Sequence, residues 1–141
     1  MCIRDRALIQ TYQPEHPVVE AILKGNDDEF WASEAKEREL ACMPPFGKLV
    51  GIIISSSNFV SATFLANQLK KNTEALDIIG ARVYGPAPAP IARIKRRHRI
   101  RLLIKSPRTP GLQDAVRKWV SIFSLKGDLR LSIDIDPQSF Y

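Results

Sequence analysis

The chain has 141 residues, 45% hydrophobic and 26% charged, and its 21 Lys+Arg against 15 Asp+Glu give a formal net charge of +6. This length makes one domain, or one domain and part of another, and can bury about two thirds of the unfolded surface. No run of about 18 apolar residues is present to span a membrane, and two cysteines, Cys2 and Cys42, are too few for a disulfide framework or a four-ligand zinc site. Residues 1–6 lack the apolar stretch of a secretory signal, so the expected location is cytoplasmic.

In chain order, Ala7–Tyr12 reads as a short strand, broken by Pro14-Glu15-His16-Pro17. His16 reads as a helix-start residue, and Pro17 suits the first helical position, where no N–H is needed. Val18, Val19, Ile22 and Leu23 then recur at helical spacing, and Gly25 is placed to end the helix. Asn26 and Glu29 form a capping-box pair with Asp27 and Asp28 between them. The helix they open is expected to run to about Ala41, with Phe30, Trp31, Ala35 and Leu40 as its apolar residues, until Pro44-Pro45-Phe46-Gly47 stops it.

From Lys48 the pattern changes. Leu49–Ile54 is apolar on both faces, as in a central strand. Ser55–Asn58 caps a helix expected to reach Ala75, with Val60/Phe64 and Leu65/Leu69 paired one turn apart. Ile78–Tyr84 reads as a second strand, followed by an extended Pro/Ala stretch over Gly85–Pro90. Arg99–Lys105 alternates, with Ile100, Leu102 and Ile104 on one face and Arg99, Arg101, Leu103 and Lys105 on the other. Pro110–Phe123 is a helix with Leu112, Val116, Trp119 and Val120 inward, and Leu129–Asp136 a last alternating strand. The order β-α-β-β-α-β predicts an α+β, ferredoxin-like split domain: a four-stranded antiparallel sheet carrying two helices. Its first and third strands are expected at the centre, leaving Arg99, Arg101 and Lys105 on a bare sheet face.

The charge is concentrated rather than spread. Ile78–Gln113 holds nine Lys/Arg and no acid, leaving 12 basic and 15 acidic residues, or −3, elsewhere. Seven of the nine, Arg93, Lys95, Arg96, Arg97, Arg99, Arg101 and Lys105, fall within thirteen residues. They are the candidate DNA-phosphate contacts, expected to be non-sequence-specific and salt-sensitive. No aromatic is interleaved among them, so base stacking there has little support. Catalytic patterns are missing: there is no Walker loop, no G-x-G-x-x-G and no metal-ligand spacing. Asp134 and Asp136 read as a solvated strand face, Cys42 as a buried inert thiol, and Trp31 and Trp119 as core packing. Two alternatives within the fold are weaker. An RNA-binding module would need aromatics on strand 99–105, and a small phosphate-ester or acyl-phosphate hydrolase would need a Gly-rich anion loop near the first strand.

Several blocks carry a resemblance. They are Ile9-Gln10-Thr11-Tyr12-Gln13-Pro14-Glu15-His16-Pro17, Glu37-Arg38, Pro44-Pro45-Phe46-Gly47, Gly85-Pro86-Ala87-Pro88-Ala89-Pro90-Ile91, Arg97-His98-Arg99-Ile100-Arg101-Leu102-Leu103, and the terminal Leu131–Ser139. In this order and spacing the chain resembles the C-terminal part of the primosomal replication-restart helicases (primosomal protein N′, PriA) over Ala7–Tyr141. The resemblance implies residues 1–47 as the truncated end of a second helicase lobe, with 1–6 a non-native start, and residues 48–141 as the C-terminal domain. It implies a parent that is an ATP-dependent 3′→5′ DNA helicase assembling the primosome at stalled forks. ATP/Mg and zinc sites would lie in the missing upstream part, so this chain alone would hold no cofactor and no helicase activity. The implied partners are branched or forked DNA, the tail of single-strand-binding protein and other primosome proteins, with the chain a monomer away from any membrane. Gln113 matches the family's pocket for that tail. The neighbouring basic position is Thr109 here, with Arg108 beside it. The family's frequent glycine at the Lys95-Arg96-Arg97 turn is absent. The competing reading is a stand-alone ferredoxin-like nucleic-acid-binding or protein-interaction domain with no enzymatic role.

Overall fold

The computed structural model describes residues 8–25 and 27–137. The chain divides into two compact units, Met1–Glu37 and Arg38–Tyr141. In the first, residues 8–12 form no strand: Leu8 and Tyr12 are fully exposed, and no neighbouring strand meets their backbone groups. Ala7, where that strand was expected to begin, lies outside the described residues. Helix α1 spans Pro17–Lys24. His16 caps it through Nδ1, which accepts from the Val18 N–H at 3.3 Å, and Gly25 ends it in the left-handed region at φ 62°. Helix α2 spans Asp27–Leu40, with three acids in its first turn complementing the helix dipole; Asn26, half of the expected capping box, lies outside the described residues. Neither helix buries a residue. Trp31 is not the core residue expected of it: it is 62% exposed and packs edge-on to Phe30. The charges of α2 ring the helix instead of leaving the apolar stripe that packing requires.

The second unit begins at Arg38, within the last turn of α2, and continues into the turn that follows the helix. Cys42 sits there at φ 46° with its side chain exposed, contrary to the buried thiol expected. Strand β1, Gly47–Ser56, follows. A Cβ at Gly47 would lie 2.1 Å from the Cys42 carbonyl oxygen, so the turn closes onto the strand only with glycine there. Asn58 caps helix α3, Phe59–Lys71, by accepting from the Val60 and Ser61 N–H groups. The buried stripe of α3 is Ala62, Leu65, Ala66 and Leu69. Val60 and Phe64, the other apolar pair one turn apart, lie off that stripe and are exposed. The helix stops at Lys71, short of Ala75, and a separate turn, α4 (Glu74–Asp77), follows.

Strand β2 runs Arg82–Ile94. It starts later than expected because Ile78–Gly80 finishes the α4 turn, with Gly80 at φ 70°. It also continues through the Pro/Ala stretch, which forms part of the strand. The prolines fit because β2 is an edge strand whose pairing shifts register between Tyr84 and Ala87 and again between Pro88 and Arg93. Gly85, at φ 101°, makes the first shift possible, since a Cβ there would come within 2.9 Å of the Arg101 carbonyl oxygen. Strand β3 is Arg97–Pro107, helix α5 Leu112–Ser121 and strand β4 Arg130–Ile135.

The sheet order is β2-β3-β1-β4 and every pairing is antiparallel, which gives the ferredoxin-like arrangement with β1 and β3 central. The core lies on one face. Val50, Ile52 and Ile54 from β1 and Ile100, Leu102 and Ile104 from β3 meet the α3 stripe, Leu76 of α4, and Leu112, Val116 and Trp119 of α5. Val120, expected inward, is partly buried against this core. At the β4 edge Ile133 and Ile135 remain exposed. Among the described residues no helix is long and apolar enough to cross a membrane.

The β2–β3 hairpin closes through Lys95 and Arg96 alone, both left-handed at φ 47° and 63°. This is the dihedral pattern that Asn-Gly satisfies most readily. Lys95→Asn combined with Arg96→Gly is therefore expected to stabilise the domain by about 1 kcal/mol, raising Tm by about 5 °C. Thermal unfolding followed by circular dichroism measures it, and an unchanged or lower Tm would count against a strained turn.

Candidate nucleic-acid interface

The alternation in β3 sends its odd-numbered side chains away from the helices. The register sets them in rows on the open face of the sheet. Arg82 of β2 pairs with Lys105, which pairs with Leu49 of β1. Tyr84, Leu103, Gly51 and Asp134 form a second row, and Ala87, Arg101, Ile53 and Ser132 a third. Arg99, Ser55 and Arg130 form a fourth. The open face thus carries Arg99, Arg101 and Lys105, as the sequence alternation requires. Arg82 and Arg130, supplied by the two edge strands, extend its positive charge.

The seven basic candidates do not share one surface. Arg93 pairs with His98, whose ring packs edge-on against Phe59 at the start of α3, so Arg93 belongs to the helix side of the sheet. Lys95 and Arg96 form the exposed hairpin tip. Arg99 donates from one guanidinium nitrogen to the Ile91 carbonyl at 3.2 Å.

Arg97 is used by the fold itself. Its guanidinium donates to Ser55 Oγ, to the Ser55 carbonyl at 2.9 Å, to the Asp128 carbonyl and to the Asp128 carboxylate at 3.2 Å, and its side chain is only 21% exposed. Asp128 in turn accepts from Ser56 Oγ at 2.6 Å and from the Ser57 N–H at 2.7 Å. The hydrogen bonds from Ser56 and Ser57, with the Arg97 charge a smaller cause, hold the Asp128 carboxyl well below its ordinary value of 3.8. A carboxyl depressed in the folded state contributes stability that is complete above that ordinary value and is lost as pH falls below it. The urea midpoint is therefore expected to drop on acidification below about pH 4. Asp128→Asn is expected to lower the midpoint at neutral pH and flatten this dependence; an acid limb as steep as that of the unaltered chain would contradict it.

Arg108 is exposed in the loop before α5, and Gln113 is exposed at the second residue of that helix. Between them Thr109 is turned back on the loop, its N–H and hydroxyl both donating to the Pro107 carbonyl. Sequence reasoning did not assign Arg82, Tyr84, Arg130 or Ser132 to the face. Their period-two spacing was visible, but only the strand order places them beside β3. Among the described residues no group of three His, Cys, Asp or Glu side chains is arranged to hold a metal ion.

Residues 39–138 match the model of the family described as Primosomal protein N C-terminal domain. The chain belongs to this family. Among its relatives, the replication restart protein PriA of Rickettsia felis is 30% identical over 94% of this chain. PriA of Treponema pallidum is 30% identical over 92%, and PriA of Synechocystis 31% identical over 95%. The chain spans about a fifth of the length of these proteins, 20%, 20% and 16% respectively. The primosomal protein N C-terminal domain accounts for the whole four-stranded sheet and its helices, because the matched range begins within α2 and ends beyond β4.

Proposed function

We propose that this chain is the DNA- and partner-binding part of a replication-restart 3′→5′ DNA helicase, with the open sheet face and the hairpin tip docking the phosphates of branched or forked DNA. The observation that carries the reading is a sheet face opposite the one that α3, α4 and α5 cover, lined from its central strand by Arg99, Arg101 and Lys105, in a chain of this family. Arg93, Lys95 and Arg96 extend the contact around the β2 edge. Arg97 serves by holding the start of β3 against Ser55 and Asp128. Arg108 and Gln113 are assigned to the acidic tail of single-strand-binding protein, with other primosome proteins as further partners. ATP hydrolysis, with its magnesium, and the zinc sites belong to upstream parts of the intact protein.

Anisotropy of a labelled forked duplex, titrated with the full chain over a salt series, tests the reading. Six phosphate contacts give a log–log slope of roughly −5. Absence of binding, or binding indifferent to salt, contradicts it, as does ATP hydrolysis by this chain alone.

A further inference from the structure

The open face is not uniformly a phosphate surface. At its centre is a concavity of about 620 Å³ lined by Gly51, Tyr84, Arg101, Leu103, Ser132 and Asp134 among others, a size in the range of small-molecule sites. Its floor is apolar at Leu103 and bare at Gly51, where a Cβ would project to 3.7 Å from Pro137 Cγ. Tyr84 and Asp134 end the same lateral row, three strand spacings or about 14 Å apart at the backbone. Tyr84 is 45% exposed. The Arg101 and Asp134 side chains take part in no hydrogen bond or ion pair among the described residues.

A carboxylate at the edge of a phosphate-docking surface repels the backbone of a duplex. It does suit a partner that offers both anionic oxygens and amino hydrogens. A nucleotide is such a partner: the exocyclic amine of cytosine donates to carboxylates, whereas thymine presents acceptors in its place. Its ring can lie on the tyrosine only if it has left the base stack, since paired bases in a duplex cover one another's faces. We propose that this concavity receives one unpaired nucleobase of a DNA strand, with its ring against Tyr84, its amino edge toward Asp134, and its flanking phosphates on Arg99, Arg101 and Lys105. The proposal rests on the reading of the face as a DNA-docking surface, and it makes that surface selective for unpaired strand.

The test uses the full chain with three labelled DNAs: a short oligo-dC, an oligo-dT of equal length and a fully paired duplex. Oligo-dC is expected to bind roughly tenfold tighter than oligo-dT. Asp134→Asn should remove that preference without weakening the duplex. Gly51→Leu fills the floor and sits on extended backbone that any residue adopts. It is expected to weaken oligo-dC roughly tenfold while sparing the duplex. Tyr84→Ala, at an exposed edge-strand position, should act in the same direction and guards against a folding defect in the first variant. Equal binding of oligo-dC and oligo-dT, or equal losses for single strand and duplex in these variants, overturns the nucleobase site while leaving phosphate docking intact. If none of the three DNAs binds, the docking reading falls and the site falls with it.

Discussion

Trp119→Ala is expected to leave the sheet domain close to unfolded under ordinary conditions. Trp119 is fully buried on the inner face of α5, within the cluster that joins both central strands to α3 and α4. Its indole N–H donates to the Asn72 carbonyl where α3 ends, so one side chain fixes both the packing of α5 and the break between α3 and α4. Truncating a buried tryptophan costs about 3–5 kcal/mol, and a domain of this size has only about 5–15 kcal/mol in total. Trp119→Phe keeps most of the volume and loses the hydrogen bond, so its cost should be nearer the 1–3 kcal/mol of an orphaned buried acceptor plus a small cavity, on the order of that range. Urea unfolding of the two variants checks this. A midpoint for Trp119→Ala within error of the unaltered chain would place the core elsewhere.

The second large effect is expected in binding. The combined Arg99→Ala, Arg101→Ala and Lys105→Ala variant should reduce the slope of log affinity against log salt by roughly three and weaken forked-DNA binding at low salt by roughly a hundredfold or more. Its fold should survive, because Arg101 and Lys105 make no internal hydrogen bond among the described residues and Arg99 gives only one, to Ile91. Arg97→Ala is the informative contrast. It removes the guanidinium from Ser55 and Asp128 and leaves Asp128 without its cation, so the loss should appear as a lower unfolding midpoint with the salt slope nearly unchanged. If Arg97→Ala lowered the slope as each open-face substitution does, the division between structural and docking arginines would be wrong.

Much of this arrangement was legible in the sequence, for physical reasons that differ by element. The period-two pattern of Ile100, Leu102 and Ile104 determined which face of β3 is buried, and the element order then placed that strand at the centre. His16, Pro17 and Gly25 bounded α1 through their own backbone preferences, independent of any tertiary contact. What failed depended on neighbours the local pattern does not contain. Ile9 and its flanking residues had strand-like character but no strand to pair with. Val60 and Phe64 satisfied helical spacing as well as Leu65 and Leu69 did, and only the position of the sheet decides between the two stripes. The Pro/Ala run of Gly85–Pro90 reads locally as an extended stretch that follows the strand, yet an edge strand with two register shifts takes it in. In the candidate site, charge density located the segment but could not show that Arg97 is held by Asp128, thirty-one residues away in the chain. Nor could it show that β4 adds Asp134 and Ser132 to the same face.

Amide chemical-shift mapping of the full chain during titration with forked DNA tests the central claim most directly. The account predicts progressive shifts at Arg99, Arg101, Leu103 and Lys105, at Gly51 and Ile53 beside them, and at the Lys95-Arg96 tip, with the exposed sides of α3 and α5 unmoved. Shifts confined to those helices, with β3 unchanged at saturating DNA, would contradict it.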